Sequence, residues 1–292
     1  MDLRALAMGL IFSLMWSSAF ATARIIVVDA PPLYALALRF LLSGLLAVGT
    51  ARALGASWRM APGQWRSVAI FGLLQNTAYL GLNFVAMQWV QASLAVIIAA
   101  SMPLIVAALG WVFRGERLPP LGVAGLIAGF VGVGLIMGTR VTGGADPLGV
   151  LFCLLGALAL AIATMTVRSA SGSGSGFPGL LMIVGLQMLV GSTALFALAA
   201  MIEVPQVNLT PALAAAFVYQ LFIPGLAATL LWFALVARIG TVRASAFHFL
   251  NPAFGVAVAA ALLGETIGPL DALGVAIVAG GILAVQLSRR PA

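Results

Sequence analysis

"MPLIVAALGWVFRGE" (residues 102–116) and "NPAFGVAVAAALLGE" (residues 251–265) share one spacing between a proline and a Gly-Glu pair, at an offset of 149 residues. The likeness runs on past the pair: at the same offset Pro120 falls with Pro269, Leu121 with Leu270 and Gly125 with Gly274. A single match of this kind is chance, but a series across two consecutive apolar segments marks an internal repeat. Earlier in each half the likeness thins to a proline before the second apolar segment, Pro32 and Pro178. The boundary then falls near "TGGADP" (142–147), dividing the chain into units 1–141 and 142–292.

What repeats is a set of membrane spans. The chain of 292 residues is 63% hydrophobic and 7% charged, with a mean hydropathy of +1.18. A soluble domain carries about a quarter of its residues as charges. Apolar runs of about 20 residues, the length that crosses a bilayer core as helix, recur with short polar breaks. Ten are expected: 3–23, 33–51, 67–88, 92–113, 121–138, 147–167, 179–201, 213–236, 244–263 and 270–287. They leave no room for a soluble domain, so the fold class is an all-α integral membrane protein with ten transmembrane helices. Five helices per unit is an odd number, so the second copy starts from the opposite face of the membrane. The repeats are therefore inverted, a plan that lets a midplane site open to either side in turn.

The net charge of +7 comes from fourteen arginines and no lysine. Assigned to alternating sides, eleven (Arg4, Arg52, Arg59, Arg66, Arg114, Arg117, Arg168, Arg238, Arg243, Arg289, Arg290) fall on one side and two (Arg24, Arg140) on the other, with Arg39 inside the second helix. That asymmetry puts both termini in the cytoplasm; the basicity orients the chain and implies no nucleic acid partner. "SSAFATA" (17–23) has the small residues of a signal cleavage site, but Trp16 and the paired serines make a poor cleavable core, so the first helix is expected to stay. Cys153 is alone, which excludes an internal disulfide. "SASGSGSG" (169–176) reads as a flexible cytoplasmic loop.

Ten helices in two halves, Arg39 within "ALALRFLLSG" (35–44), and the proline and Gly-Glu ends of helices four and nine resemble the drug/metabolite transporter superfamily. Within it the chain is most similar to the EamA-like exporters, including the YddG-type amino acid exporters, over about 8–138 and 148–287. The resemblance implies a multi-pass exporter of the bacterial inner membrane that handles small metabolites, with amino acids, especially aromatic ones, as leading candidates. Small four-helix multidrug relatives of the superfamily place a glutamate in the first helix for proton exchange, where this chain has "LMWSSAF" (14–20). All seven acidic residues fall in loops or at helix ends, which weakens a carboxylate relay and favours a facilitator, with His248 as the group left to titrate.

Polar side chains inside a membrane tend to face the bundle interior, with helix-to-helix hydrogen bonding as the competing use. Helix three carries Gln75, Tyr79 and Asn83 at i, i+4 and i+8, with Asn76 beside them, one inward stripe. Helix one offers Trp16 and Ser17. Ser101 and Met102 of helix four, Thr164 of helix six, Gln187 of helix seven and Tyr219 of helix eight complete the weaker candidates, with the reservation that small hydroxyls readily bond their own backbone. Helix nine puts Ser245, His248 and Asn251 on one face, and across the repeat His248 and Asn251 correspond to Ala99 and Met102. The prolines Pro103, Pro224 and Pro252 are expected to bend or soften their helices, Pro252 by freeing the carbonyl of His248. Arg39 is expected to be structural, snorkelling outward, with a substrate carboxylate as the other use. Glu116 and Glu265 are expected to be capping residues, and the glycines of helix five to pack within the monomer, with a dimer as the alternative.

The substrate-binding set is thus Trp16, Ser17, Gln75, Asn76, Tyr79, Asn83, Ser101, Met102, Thr164, Gln187, Tyr219, His248 and Asn251. It holds aromatics, amides and hydroxyls with few fixed charges, which suits neutral or zwitterionic amphipathic molecules. No metal or cofactor is implied, and the partners are a small-molecule substrate and membrane lipids around a monomer or homodimer. An intramembrane enzyme is the competing class. It lacks a G-x-S-G serine context, has one histidine for metal ligation, and has no lysine for a retinal. A non-transporting receptor or assembly subunit is the remaining alternative.

Overall fold

The computed structural model describes residues 3–115, 119–142, 144–167, 176–240, 244 and 246–288, and all regular structure among them is helical. Glu116, Ser245 and residues 169–175 of the glycine-serine loop lie outside the described residues. In chain order the elements are α1 (Leu3–Asp29), α2 (Pro32–Ala53) and α3, which runs as Pro62–Phe71, a π-helical stretch Gly72–Tyr79, and Leu80–Ala86. Then come α4 in two parts (Ala92–Ala100 and Met102–Arg114), α5 (Pro120–Thr142), α6 (Pro147–Val167) and α7 (Gly176–Ile202). α8 runs as Pro211–Gln220, a π-helical stretch Leu221–Ala227, and Ala228–Ile239. α9 (Asn251–Leu263) is entered through a 3-10 turn, Ala246–Leu250, and α10 is Pro269–Ser288. Proline opens α2, α3, α5, α6, α8 and α10, at the one helical position where its missing N–H is not required.

Nine of these helices, among the described residues, are long and apolar enough to cross a membrane; the tenth apolar segment, Phe247–Leu263, is shorter. The outer surface explains the composition. Leu10, Ile11, Leu14, Leu45, Leu46, Val112 and Phe113 are among many large apolar side chains that are exposed, more than a soluble monomer leaves to water. Trp58, Trp65, Trp89 and Trp111 are exposed near helix ends, where indole rings favour the headgroup region. The molecule is a multi-pass membrane protein.

The repeated sequence has a repeated backbone. In α4 the second segment begins with Met102-Pro103, spans 13 residues and ends at Gly115 with φ +63°. In α9 it begins with Asn251-Pro252, spans 13 residues and ends at Gly264 with φ +66°. Each proline therefore sits in the first turn of a fresh helical segment, and the regular α-helix is interrupted just before it, at Ser101 in α4 and at the 3-10 turn in α9. Each glycine supplies the left-handed residue that closes such a segment.

Three of the five pairs of corresponding helices, α2 with α7, α4 with α9 and α5 with α10, lie side by side and antiparallel. In α2 and α7, Leu33 meets Glu203, Ala37 meets Ser192, and Val48 meets Gly185. In α4 and α9, Ala92 meets Glu265 and Val96 meets Gly255. In α5 and α10, Gly125 meets Gly281, Gly132 meets Val278, and Ile136 meets Gly274. Gly125, Gly129 and Gly132 of α5 thus pack within the chain, while a side chain at Gly134 or Gly138 would meet nothing within 4 Å.

Carboxylates hold the helix ends. Glu203, just past α7, accepts the amides of Leu33 and Tyr34 at the start of α2 at 2.9–3.1 Å. Glu265, just past α9, accepts those of Ala92 and Ser93 at 2.8 and 3.1 Å. Glu265 is a capping residue as expected, but it caps a helix of the other half. Asp146 and Asp271 cap their own helices through Leu148 N and Gly268 N. An anion at a helix N-terminus meets both free N–H groups and the positive end of the dipole.

A side chain at Gly281 would have Gly125 O at 2.6 Å and Gly129 Cα at 2.7 Å, both backbone. Gly281→Val must therefore force α5 and α10 apart, and a loss of about 1–3 kcal/mol is expected, read as a lower thermal unfolding temperature in detergent. Gly134→Ala, which meets nothing within 4 Å, should leave that temperature unchanged or raised.

Candidate functional site

Two small chambers lie inside the bundle and share a wall formed by Trp16 and Phe20 of α1 and Tyr79 of α3. The larger, about 70 Å³, is lined by Arg39, Phe40, Gln75, Asn76, Asn83, Phe84, Met188, Gln220 and Pro224 among others. The smaller, about 20 Å³, is lined by Ala99, Met102, Pro103, Leu160, His248 and Asn251 among others. Small-molecule pockets usually enclose about 300–1,000 Å³, so this conformation is contracted around its polar groups and has room for water only. A depression of about 770 Å³ at the helix ends is larger, but its charged groups are already used. Asp29 accepts Asn208 Nδ2 and Thr210 Oγ1, and Glu203 caps α2.

The polar stripe of α3 reaches the larger chamber through its π-helical stretch. Thr77 Oγ1 donates to Gly72 O, five residues back, a local bond in register with the wider turn. All four stripe residues, Gln75, Asn76, Tyr79 and Asn83, line the chamber, but they are engaged differently. Asn76 Nδ2 donates to Gln187 O at 2.9 Å and ties α3 to α7. Asn83 Nδ2 donates to Tyr79 O, leaving the buried Oδ1 with no partner. The Gln75 side chain makes no hydrogen bond among the described residues.

The second π-helical stretch surrounds Pro224. A π turn pairs residue i with i+5, so the carbonyl of Gln220 passes from Pro224, which has no N–H, to Gly225. Gln220 is fully buried and ties three helices. Its Nε2 donates to Ala19 O at 2.6 Å and Thr22 Oγ1 at 3.1 Å on α1, and its Oε1 accepts from Arg39 Nη1 on α2. Arg39 is 6% exposed, so it does not snorkel. Its guanidinium carbon lies 4.7 Å from the Phe40 ring centre and 6.0 Å from that of Phe84.

In the smaller chamber Asn251 Nδ2 donates to His248 Nδ1 at 3.0 Å, which fixes the histidine tautomer with its proton on Nε2. The ring sits among Trp232 at 5.0 Å, Phe12 at 5.4 Å and Trp16 at 6.2 Å between centroids. Asn251 Oδ1 is buried without a partner.

Other sequence candidates are engaged elsewhere. Ser17 Oγ donates to Asn251 O at 3.2 Å, while Ser13 one turn earlier donates to Phe247 O, so both serve the broken start of α9. Ser101 and Thr164 bond Ile98 O and Leu160 O on their own helices. Gln187 contributes its backbone carbonyl to Asn76, and Tyr219 shares a 2.8 Å bond with Ser18 Oγ. None of these five lines either chamber. Pro252 lies off both chambers, while Pro103 and Pro224 line them. Of the two neighbouring polar residues Tyr219 and Gln220 of α8, tertiary packing alone decides that Gln220 is the one turned to the larger chamber. Arg39 had a visible signal, a charge deep in a span while every acidic residue stands in a loop or at a helix end.

The chain matches a family model, the EamA-like transporter family, twice, over residues 3–138 and 147–287. It is similar to the uncharacterized transporter YvbV of Bacillus subtilis (strain 168), 28% identical over 146 residues that make up 50% of this chain and 48% of YvbV. It is also similar to a WAT1-related chloroplastic protein of Arabidopsis thaliana, 29% identical over 127 residues, 44% of this chain and 30% of that one. The match thus spans about half the length of the first relative and less of the second. A solved structure, described only as the crystal structure of a protein, superposes with a TM-score of 0.70 over 98% of both chains at 21% identity. That likeness shows the fold.

Removing the group that holds Arg39 tests this description. Gln220→Leu leaves a buried guanidinium without a partner and is expected to cost about 1–3 kcal/mol, seen as a lower unfolding temperature. Gln75→Leu, where no hydrogen bond is lost, should change that temperature little.

Proposed function

The chain belongs to the EamA-like transporter family, and from that premise we propose that it exports small amphipathic metabolites across the bacterial inner membrane by alternating access, with amino acids, aromatic ones included, as substrates. One observation carries the reading: buried polar groups without partners, Arg39 Nε, Asn83 Oδ1 and Asn251 Oδ1, belong to residues lining chambers walled by aromatic rings. Groups of this kind are costly to keep unless something binds them part of the time.

The proposed cycle uses two inverted five-helix halves. It is supported by the antiparallel packing of α2 with α7, α4 with α9 and α5 with α10, and by the matched breaks before Pro103 and Pro252. A broken helix bends at lower cost than a continuous one, so these breaks are the joints. The Glu203 and Glu265 caps join the halves at the end that the arginine distribution assigns to the outside, and in the proposed cycle they close that end. No carboxylate lines either chamber among the described residues, which supports movement down the substrate's own gradient over a carboxylate proton relay.

Counterflow in proteoliposomes tests the reading. Labelled phenylalanine should accumulate in vesicles preloaded with unlabelled phenylalanine and not in protein-free ones. Tyr79→Ala and Asn251→Ala, purified with ordinary thermal stability, should slow it severalfold. Absence of counterflow with every amphipathic solute tried would remove transport from the account.

A further inference from the structure

Arg39 is a buried cation with almost nothing to hold. Among the described residues, Nη1 alone has a hydrogen-bond partner, the neutral amide of Gln220, while Nε is buried with none. A guanidinium has five N–H donors in a planar fork matched to a carboxylate. Taking such a group out of water costs several kcal/mol in general, and one neutral hydrogen bond does not offset it. Every described carboxylate is committed at helix ends: Asp29, Asp146, Glu203, Glu265 and Asp271 each accept a hydrogen bond there.

A purely structural role fits this poorly. A neutral side chain at position 39 could bond Gln220 and leave no charge behind. Snorkelling fails because the side chain is 6% exposed and lies against the Phe40 and Phe84 rings. What remains is an anion that comes and goes through the chamber Arg39 lines. Gln220, held on α1 through Ala19 O and Thr22 Oγ1, fixes one edge of the fork and leaves the rest for that anion.

We propose that Arg39 is the carboxylate anchor of the larger chamber, and that the ligand class is a small monocarboxylate with an apolar body. The inference rests on the transport reading of the same site and deepens it. Charge limits the ligand to one anionic group, because one guanidinium lines the chamber and a phosphate dianion would need further cations. Phe20, Phe40, Phe84 and Met188 supply surface for the apolar body. Asn83 Oδ1, an acceptor without a partner on the same chamber, fits an N–H donor beside the carboxylate.

The test pairs acids with their amides: 3-phenylpropionate with 3-phenylpropionamide, and phenylalanine with phenylalaninamide. Binding to the detergent-purified chain is read by intrinsic tryptophan fluorescence, which Trp16 in the chamber wall reports. Each acid should bind about tenfold more tightly than its amide or better, as expected for a charge-assisted pair. In Arg39→Gln the difference should fall below about threefold. Equal binding of acid and amide, no binding of any probe at millimolar concentration, or an acid preference surviving in a folded Arg39→Gln protein overturns the anchor. The acid–amide comparison in the unaltered chain stands even if Arg39→Gln is unstable. Flux of the same probes into liposomes separates the two readings. Acid preference without flux removes transport and keeps the anchor, and flux without acid preference does the reverse.

Discussion

Gln220 uses both ends of its amide inside the bundle, holding α1 through two acceptors and receiving Arg39 from α2. Hydrocarbon offers polar groups no alternative partner, so each must be satisfied within the protein. Much of the interior follows from that constraint. Ser13 and Ser17 of α1 donate to Phe247 O and Asn251 O, where α9 breaks. Ser192 of α7 takes Ala37 O of α2, and Asn76 of α3 takes Gln187 O of α7. The same bonds bring α1, α2, α3 and α8 together around the larger chamber. Against so thorough a pairing, the few buried groups without partners are informative.

The interior also divides into rigid and breakable parts. α5 and α10 meet glycine against backbone, with no slack for sliding. α4 and α9 are each interrupted before a proline, at the edge of the chamber that contains His248 and Asn251. α3 and α8 carry π-helical stretches beside the other chamber. Such stretches are weaker than regular α-helix and concentrate at functional sites. In the proposed cycle the small volume of both chambers and the irregular backbone around them belong together, because admitting a ligand would need walls that move.

The helix-end carboxylates have a mechanical meaning of their own. Glu203 and Glu265 each reach from the end of one helix to the start of its antiparallel counterpart in the other half. Asp29 likewise accepts Asn208 and Thr210 of the other half, and these carboxylates all stand at helix ends. Contacts of that kind form and break more easily than the buried amide bonds beneath them.

The sequence by itself determined the membrane class, the internal repeat, the proline and glycine limits of the repeated segments, and the inward stripe on α3. These are local properties, fixed by hydropathy, helical period and backbone chemistry within a few residues. It also held the clue to Arg39, a charge deep within a span while the acidic residues stand in loops and at helix ends. Only the tertiary structure decided which polar side chains are committed and which are free. Ser17 and Tyr219 are occupied by partners 234 and 201 residues away, and Arg39 is held by one 181 residues away. A hydrogen bond between helices depends on rotation and depth at both ends, and no periodicity in one helix records the position of another.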